Sequence, residues 1–426
     1  MITALEVLAY DPSVAAGTLR LLAARQGRRF DEWLDEQPGK ILHELRIGEY
    51  ARLGEIPQQP YYGTVDATPL FLILLGRHAA WTADLSVFDE LRDEVELALE
   101  WIDAYGDSDG DGYVDYRSRS RHGLVNQGWK DSGTAIVNAD GSLAEPPIAL
   151  VEVQGYVYQA RLAIAELFRR RGEAGRAAEL EGAAADLRAR FERDFWRPSL
   201  GTYALALQAG GRPADVVASN AGHALWAGIA GGDRARATME RLMAPDMFGG
   251  WGIRTLSTKE RRYNPIGYHL GTVWPHDNAL IAVGFRRYGL DDAAGRVFLG
   301  LVEAAMALDQ YRLPEAFAGF DRARYRLPVR YPVACHPQAW AAGAVPYLLQ
   351  SLLGLVPEAF EGRLRIVRPA LPPFVDRLTL RRLRVGDGGA DVHFARTGDG
   401  GVEVDVLSCA GGLQVVVDRE GELPCG

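Results

Sequence analysis

Residues 69–81 carry the run Leu70-Phe71-Leu72-Ile73-Leu74-Leu75, apolar on every side of a helix, and residues 87–105 follow with apolar positions on one face only. A helix that is apolar all round must be covered all round, whereas a charged amphipathic helix keeps one face in water. The same pairing recurs in 272–288 and 291–309. A chain that alternates these two kinds of helix is suited to two concentric rings, the apolar helices inside and the charged ones outside.

The rhythm extends over most of the sequence. A first helix is punctuated by Asp11 as cap, Pro12 at its first position and Gly27 as stop. Further apolar-periodic segments fall at 41–50, 147–171, 174–196, 220–230, 233–243 and 336–353. Together they predict about eleven helices joined by Gly/Pro-rich loops, one short of six hairpins. The fold expected is mainly α, an (α/α)6 toroid lacking its first helix. From about Arg363 short β-rich runs separated by Gly-Asp turns predict strands, so the expected division is a barrel over 1–360 and a small β-module over 361–426. No sequence repeat of solenoid length is present.

Composition narrows the partners. The 426 residues are 48% hydrophobic and 24% charged, with a net charge of -9 that would repel DNA or RNA. The longest apolar stretch is cut by Gly76, Arg77 and His78 before it could cross a bilayer, so no membrane partner is expected. The first residues have neither a basic nor a long apolar region, and the expected location is the cytoplasm. Cys335, Cys409 and Cys425 form no Cys-x-x-Cys pair and fit free thiols better than a disulfide framework. Oligomeric state is left open.

Two carboxylates lie in loops beside aromatic residues. Asp131, in Asn126-Gln127-Gly128-Trp129-Lys130-Asp131-Ser132, is placed near an indole, where a carboxyl can hold its proton and serve as a general acid. A helix cap by Asp131 or Ser132 is the bland alternative. Glu315, in Arg312-Leu313-Pro314-Glu315-Ala316-Phe317, could be the facing base or merely a charge at a helix N-terminus. Between them the stretches 249–254 and 263–278 gather Trp251, Tyr263, Tyr268, His269, Trp274 and His276 among Gly and Pro, a composition suited to a sugar platform or to loop packing. His269 and His276 stand seven apart, unlike the spacing of a zinc hydrolase, and no catalytic metal is expected. Asp107, Asp109, Asp111 and Asp115 occupy positions 1, 3, 5 and 9 of a calcium loop, but Ser118 stands where a bidentate Glu belongs. A structural Ca²⁺ and a solvated acidic turn are both compatible with that run.

Several blocks in one order carry a family resemblance: Glu36-Gln37-Pro38-Gly39-Lys40-Ile41-Leu42-His43-Glu44-Leu45-Arg46, Tyr61-Tyr62-Gly63-Thr64-Val65-Asp66, Trp129-Lys130-Asp131-Ser132, Glu152-Val153-Gln154-Gly155-Tyr156 and Val273-Trp274-Pro275-His276-Asp277. Along nearly its whole length the chain resembles bacterial amylo-α-1,6-glucosidases and glycogen-debranching-like proteins. The resemblance implies an (α/α)6 barrel related to glucoamylases, trehalases and processing α-glucosidases, acting on α-glucans or small α-glucosides with inversion and requiring no cofactor. It implies Asp131 as acid and Glu315 as base, with Tyr61, Tyr62, Asp66, Trp129, Lys130, Glu152, Gln154, Trp251, Trp274 and His276 around the terminal sugar. The family's opening helix and N-terminal β-sandwich have no counterpart here, which implies a barrel open on one side, and Gly133-Thr134 replace an acid often found after Asp-Ser. A glycoside phosphorylase and a non-catalytic or partner-dependent fragment are the rival readings.

Overall fold

The computed structural model describes residues 1–421 and 423. Thirteen α-helices lie among the described residues: α1 (Ile2–Glu6), α2 (Pro12–Ala23), α3 (Glu49–Arg52), α4 (Ala67–Thr82), α5 (Ser86–Glu90), α6 (Arg92–Glu100), α7 (Val151–Arg170), α8 (Ala174–Asp194), α9 (Asn220–Ala227), α10 (Gly232–Leu242), α11 (Pro275–Arg287), α12 (Asp291–Met306) and α13 (Ala339–Leu352). Helices α1, α4, α7, α9, α11 and α13 each touch the next, and α13 returns to α1, so six inner helices close a ring. Outside it, α2, α6, α8, α10 and α12 each pack on the inner helix that precedes them.

The alternation of apolar and charged helices is the cause of this layering. All eight residues of α9 are buried, whereas α10 buries only Ala235, Thr238 and Leu242. Side chains such as Phe71, Leu72, Ile281 and Phe285 are wholly covered, and each contributes roughly 2 kcal/mol by leaving water. The inner helices come close because small residues meet at their contacts: a Cβ on Gly284 would lie 2.6 Å from the backbone nitrogen of Trp226, and one on Gly155 2.9 Å from Ala227 Cβ.

Two expectations about the first third change. Residues 41–50 are not a helix: Ile41 and Leu42 are buried, but His43 N donates to the Tyr61 carbonyl and only the four-residue α3 follows. Conversely, α1 is an inner helix, with Ile2 and Leu5 buried, and it seals the ring against α13. The inner barrel is therefore closed rather than open; among the described residues, five outer helices serve six inner ones.

After α13 the chain forms two three-stranded sheets. Leu355–Glu358, Arg363–Val367 and Gln414–Asp418 make one, its last strand parallel to the middle one, and Arg377–Val385, Gly388–Arg396 and Val402–Ala410 make an antiparallel meander. The strands begin slightly before the expected boundary. Gly386 N donates to the Trp81 carbonyl at the end of α4, and the buried Arg286 of α11 donates to the carbonyls of Ser351, Val367 and Arg368. Cys335 and Cys409 are exposed free thiols, and Cys425 lies outside the described residues. No helix among the described residues is long and apolar enough to cross a membrane.

Candidate active site

The inner helices α1, α4, α7, α9 and α11 are each followed by an outer helix that returns before the next inner helix begins. The inner-to-outer turns are short, for example 83–85, 171–173, 228–231 and 288–290, while the outer-to-inner connections span 24–66, 106–150, 195–219, 243–274 and 307–338. The long loops therefore gather over the N-termini of the inner helices, and such loops are where a rigid scaffold places function. Helix N-termini also favour negative charge. Asp66 directly precedes α4, Glu152 lies in the first turn of α7 and Asp277 in that of α11.

Asp131 stands in this gathering of loops, in a stretch of turns with no helix beginning at it, which removes the reading of a helix cap. Its Oδ2 lies 3.8 Å from His43 Nε2. Burial raises its pKa above the ordinary carboxylate value, the charge of His43 works the other way, and Glu44 and Asp66 reinforce the rise. Ser132 Oγ shares a 2.9 Å hydrogen bond with His269 Nδ1, which fixes the loop just past the acid.

Glu315 is likewise in irregular chain rather than at a helix start. Its Oε1 accepts from Tyr268 OH at 2.9 Å and from Gln338 Nε2 at 3.3 Å, and its Oε2 from Cys335 N at 3.1 Å. Burial, then the hydrogen bond and charge of Glu315 and the charge of Asp131, push the pKa of the Tyr268 hydroxyl far up. Glu315 is thus bonded to this tyrosine, and the charge of Asp131 reaches it.

Behind them stands an aromatic wall. Trp129 meets Trp274 edge-on at 5.6 Å and His276 at 4.9 Å, and its ring lies parallel to that of His223. His276 stacks on Trp340 with centroids 3.8 Å apart. Burial, aided by the charges of His223, His269 and Lys130, holds His276 neutral. Among the described residues Trp129 Nε1, Trp340 Nε1, both His276 ring nitrogens and Glu152 Oε2 have no hydrogen-bond partner, an expensive arrangement unless something else satisfies them.

The other residues expected here divide into two groups. Asp66 takes the Thr64 hydroxyl on Oδ1 and, by burial, holds its proton to higher pH than usual. Glu152 accepts from Asn220 Nδ2 at 2.9 Å and is also raised by burial. Lys130 Nζ turns under the Trp129 ring and donates to Ser219 Oγ and the Thr255 carbonyl, with its pKa lowered to about 8 by burial. Of these three, Lys130 lies against the wall, under Trp129. By contrast Tyr61 donates to Asp35, Tyr62 to the Arg25 carbonyl, and the Gln154 amide to the carbonyls of Val114 and Leu150. Their polar atoms serve the protein. Trp251 packs against Gly300 and under Arg322, not in the cluster of Trp129 and Trp274.

The sequence did not point to His43, Gln338 or Trp340 for the site, placed Tyr268 and His269 there only as part of a stretch, and set His269 beside His276 in a metal spacing it excluded. His43 lay in a quoted block, but the false helix at 41–50 hid its direction. For Gln338 and Trp340, at the start of α13, no sequence signal existed beyond the helix itself.

Asp107, Asp109 and Asp115 bring carboxylate oxygens within 4.8 Å of one another. Asp111 does not join them; its Oδ1 accepts from Tyr113 N. Asp107 accepts from Gly110 N and Gly112 N, and Asp115 from both polar groups of Ser108, so the loop closes on its own amides and hydroxyl.

A family model described as the mannosylglycerate hydrolase MGH1-like glycoside hydrolase domain matches residues 86–322. No curated protein matches the chain. Among solved structures, a GH78 family rhamnosidase of Bacillus sp. GL1 is similar with TM-score 0.64 at 13% identity, over 99% of this chain and 39% of that one. A protein titled sialidase is similar with TM-score 0.60 at 14% identity, over 79% of this chain and 31% of that one. The GH63 mannosylglycerate hydrolase from Thermus thermophilus is similar with TM-score 0.55 at 17% identity, over 81% of this chain and 91% of that one. The chain thus spans about a third of the length of the first two, and the likeness to all three is one of fold.

Proposed function

The chain belongs to the MGH1-like glycoside hydrolases, and on that premise we propose that it cleaves an α-glycosidic bond with inversion, Asp131 as general acid and Glu315 as general base. That it is a glycoside hydrolase follows from the family; the debranching activity implied by the first resemblance is not part of what the family match carries. The observation that supports the two roles is the common tyrosine: Tyr268 donates to Glu315 and lies in the field of Asp131.

The division of labour follows from the surroundings. Burial raises the pKa of Asp131, the direction that suits a group that must protonate a leaving oxygen. Glu315 is held by three donors, and in an inverting pair it would draw the proton from a water placed between the carboxyls, which stand about 6.5 to 9.5 Å apart in such enzymes. The indole rings of Trp129 and Trp340 would flank the apolar faces of one terminal sugar. That arrangement fits an exo-acting enzyme on a short substrate, an α-glucoside or an α-mannoside with a compact aglycone such as glycerate.

Incubation with α-glucosylglycerate, α-mannosylglycerate, maltose and isomaltose, followed by proton NMR of the first product, tests the proposal. Release of the β-anomer of the free sugar is expected. The α-anomer as first product would rule out inversion, and undiminished turnover in Asp131→Asn or Glu315→Gln would remove that residue from its role.

A further inference from the structure

His43 is the basic side chain that stands against the acid. Its backbone N–H is fixed to the Tyr61 carbonyl at 2.8 Å, and its ring meets the Tyr61 ring edge-on at 6.4 Å. Tyr61 is itself immobilised, its hydroxyl donating to Asp35 and accepting from Leu124 N. The imidazole is thereby aimed, and Nε2 reaches to 3.8 Å from Asp131 Oδ2. Its side chain is 22% exposed and that of Asp131 35%, so neither is shut away from the reacting loops.

The charges that act on Asp131 are those of His43 and of two carboxylates, Glu44 and Asp66, and the charge of Asp131 in turn reaches Tyr268. Glu44 follows His43 in the chain, Asp66 comes from the start of α4, and Tyr268 lies in the loop before α11. Carboxylates crowded together hold on to protons, and a neighbouring cation releases them. Without a basic partner Asp131 would be a poor donor; with a permanent cation it would have no proton to give. An imidazole 3.8 Å away is intermediate between these cases: it can offer Asp131 Oδ2 a hydrogen-bonding nitrogen without being a permanent cation.

We propose that His43 is a positioning residue for the general acid: it orients Asp131 Oδ2 and sets the pH above which the Asp131 proton is lost. The inference rests on Asp131 as the acid of the proposed reaction, but its central measurement does not require turnover. In protein labelled with ¹³C at the aspartate carboxyls, the Asp131 signal is assigned by its loss in Asp131→Asn, and its titration midpoint is read directly. His43→Gln, which keeps a hydrogen-bonding side chain without the charge, is expected to move that midpoint up by about one pH unit, and His43→Arg to move it down by a similar amount.

On a glycoside that the wild type hydrolyses, the alkaline limb of kcat/KM is expected to move with the midpoint in each variant. Circular dichroism at each pH keeps unfolding from being read as a shift. Midpoints that stay within about 0.2 units of wild type in both folded variants would overturn the proposal, since a purely structural His43 would change activity without moving them. If the midpoints move while Asp131→Asn retains full activity, the electrostatic pairing stands and the assignment of Asp131 as acid falls instead.

Discussion

Tyr268 donates its hydroxyl to Glu315 Oε1 at 2.9 Å, so the loop before α11 and the loop before α13 are joined through the candidate base. Tyr268 also packs on Trp274, with centroids 4.9 Å apart, and lies nearly parallel to Tyr331. Tyr268→Phe keeps the ring and removes only the hydroxyl. Stability is expected to fall by about 1 kcal/mol, the net worth of one hydrogen bond. Turnover is expected to fall further, roughly 10- to 100-fold in kcat, because a base displaced by a fraction of an ångström no longer aligns the water. Steady-state kinetics beside a urea titration separates the two effects; a kcat loss no larger than the stability change accounts for would show that the hydroxyl has no role in placing Glu315.

Asp131 predicts a leaving-group dependence. Burial holds its carboxyl in the protonated form to a higher pH than an ordinary aspartate, so activity is present below the pKa of the folded state and is lost as pH rises through it. Asp131→Asn abolishes the donor and should cost on the order of 1000-fold on an alkyl glycoside. On the α-glycosyl fluoride of the same sugar, whose leaving group departs as an anion without help, the loss should be about tenfold or less. Equal losses on both substrates would show that Asp131 does not act as the proton donor.

Much of the architecture was legible because it is written in local pattern. The apolar run at Leu70–Leu75 and the sparse apolar face of 233–243 already separate an inner from an outer helix, and the Asp11-Pro12 start is confirmed by Asp11 Oδ1 accepting from Ser13 N at 3.0 Å. The placement of Asp131 and Glu315 in loops was legible for the same reason. What pattern could not supply was direction. Residues 41–50 have helical periodicity, yet their apolar members divide between core and solvent, with Ile41 buried and Ile47 85% exposed. Trp251 and Trp274 look alike in sequence, and only the fold sends one to Arg322 and the other to Trp129. Tyr61 and Gln154 sit in blocks that resemble a sugar site but use their polar atoms on Asp35 and the Val114 backbone.

Arg286 carries the junction between barrel and β-module. It is 1% exposed, donates to one carbonyl in the last turn of α13 and to two beyond it, and pairs with Asp291 at 2.9 Å. Arg286→Met fills the space but leaves those acceptors unpaired, and the expected loss is roughly 3 kcal/mol. Arg286→Lys should recover only part of it, because a single ammonium cannot reproduce the guanidinium fork. Denaturant midpoints measure both, and a lysine variant as stable as wild type would contradict the geometric account.

Lys130 makes the last prediction, a pH dependence of stability with a definite sign. Wholly buried under Trp129, it has its pKa lowered from 10.5 to about 8 by burial, with Asp277 and Glu152 opposing the shift. Between those two values the unfolded chain holds a proton that the folded chain has lost, so this residue makes the fold more stable as pH rises from about 8 towards 10.5. Below about pH 8 both states are charged and the burial penalty is felt in full. A shift of that size corresponds to about 3 kcal/mol. Lys130→Met removes the titration together with the bonds to Ser219 and Thr255, and comparison with it cancels the other buried lysine, Lys40, which is lowered to about 8 in the same way. Urea unfolding of both proteins at about pH 7 and about pH 10 should show the wild type gaining roughly 2–3 kcal/mol on the variant at the higher pH. A constant difference between the two proteins would mean that Lys130 keeps an ordinary pKa, and that the hydrogen bonds at its ammonium offset the cost of burying it.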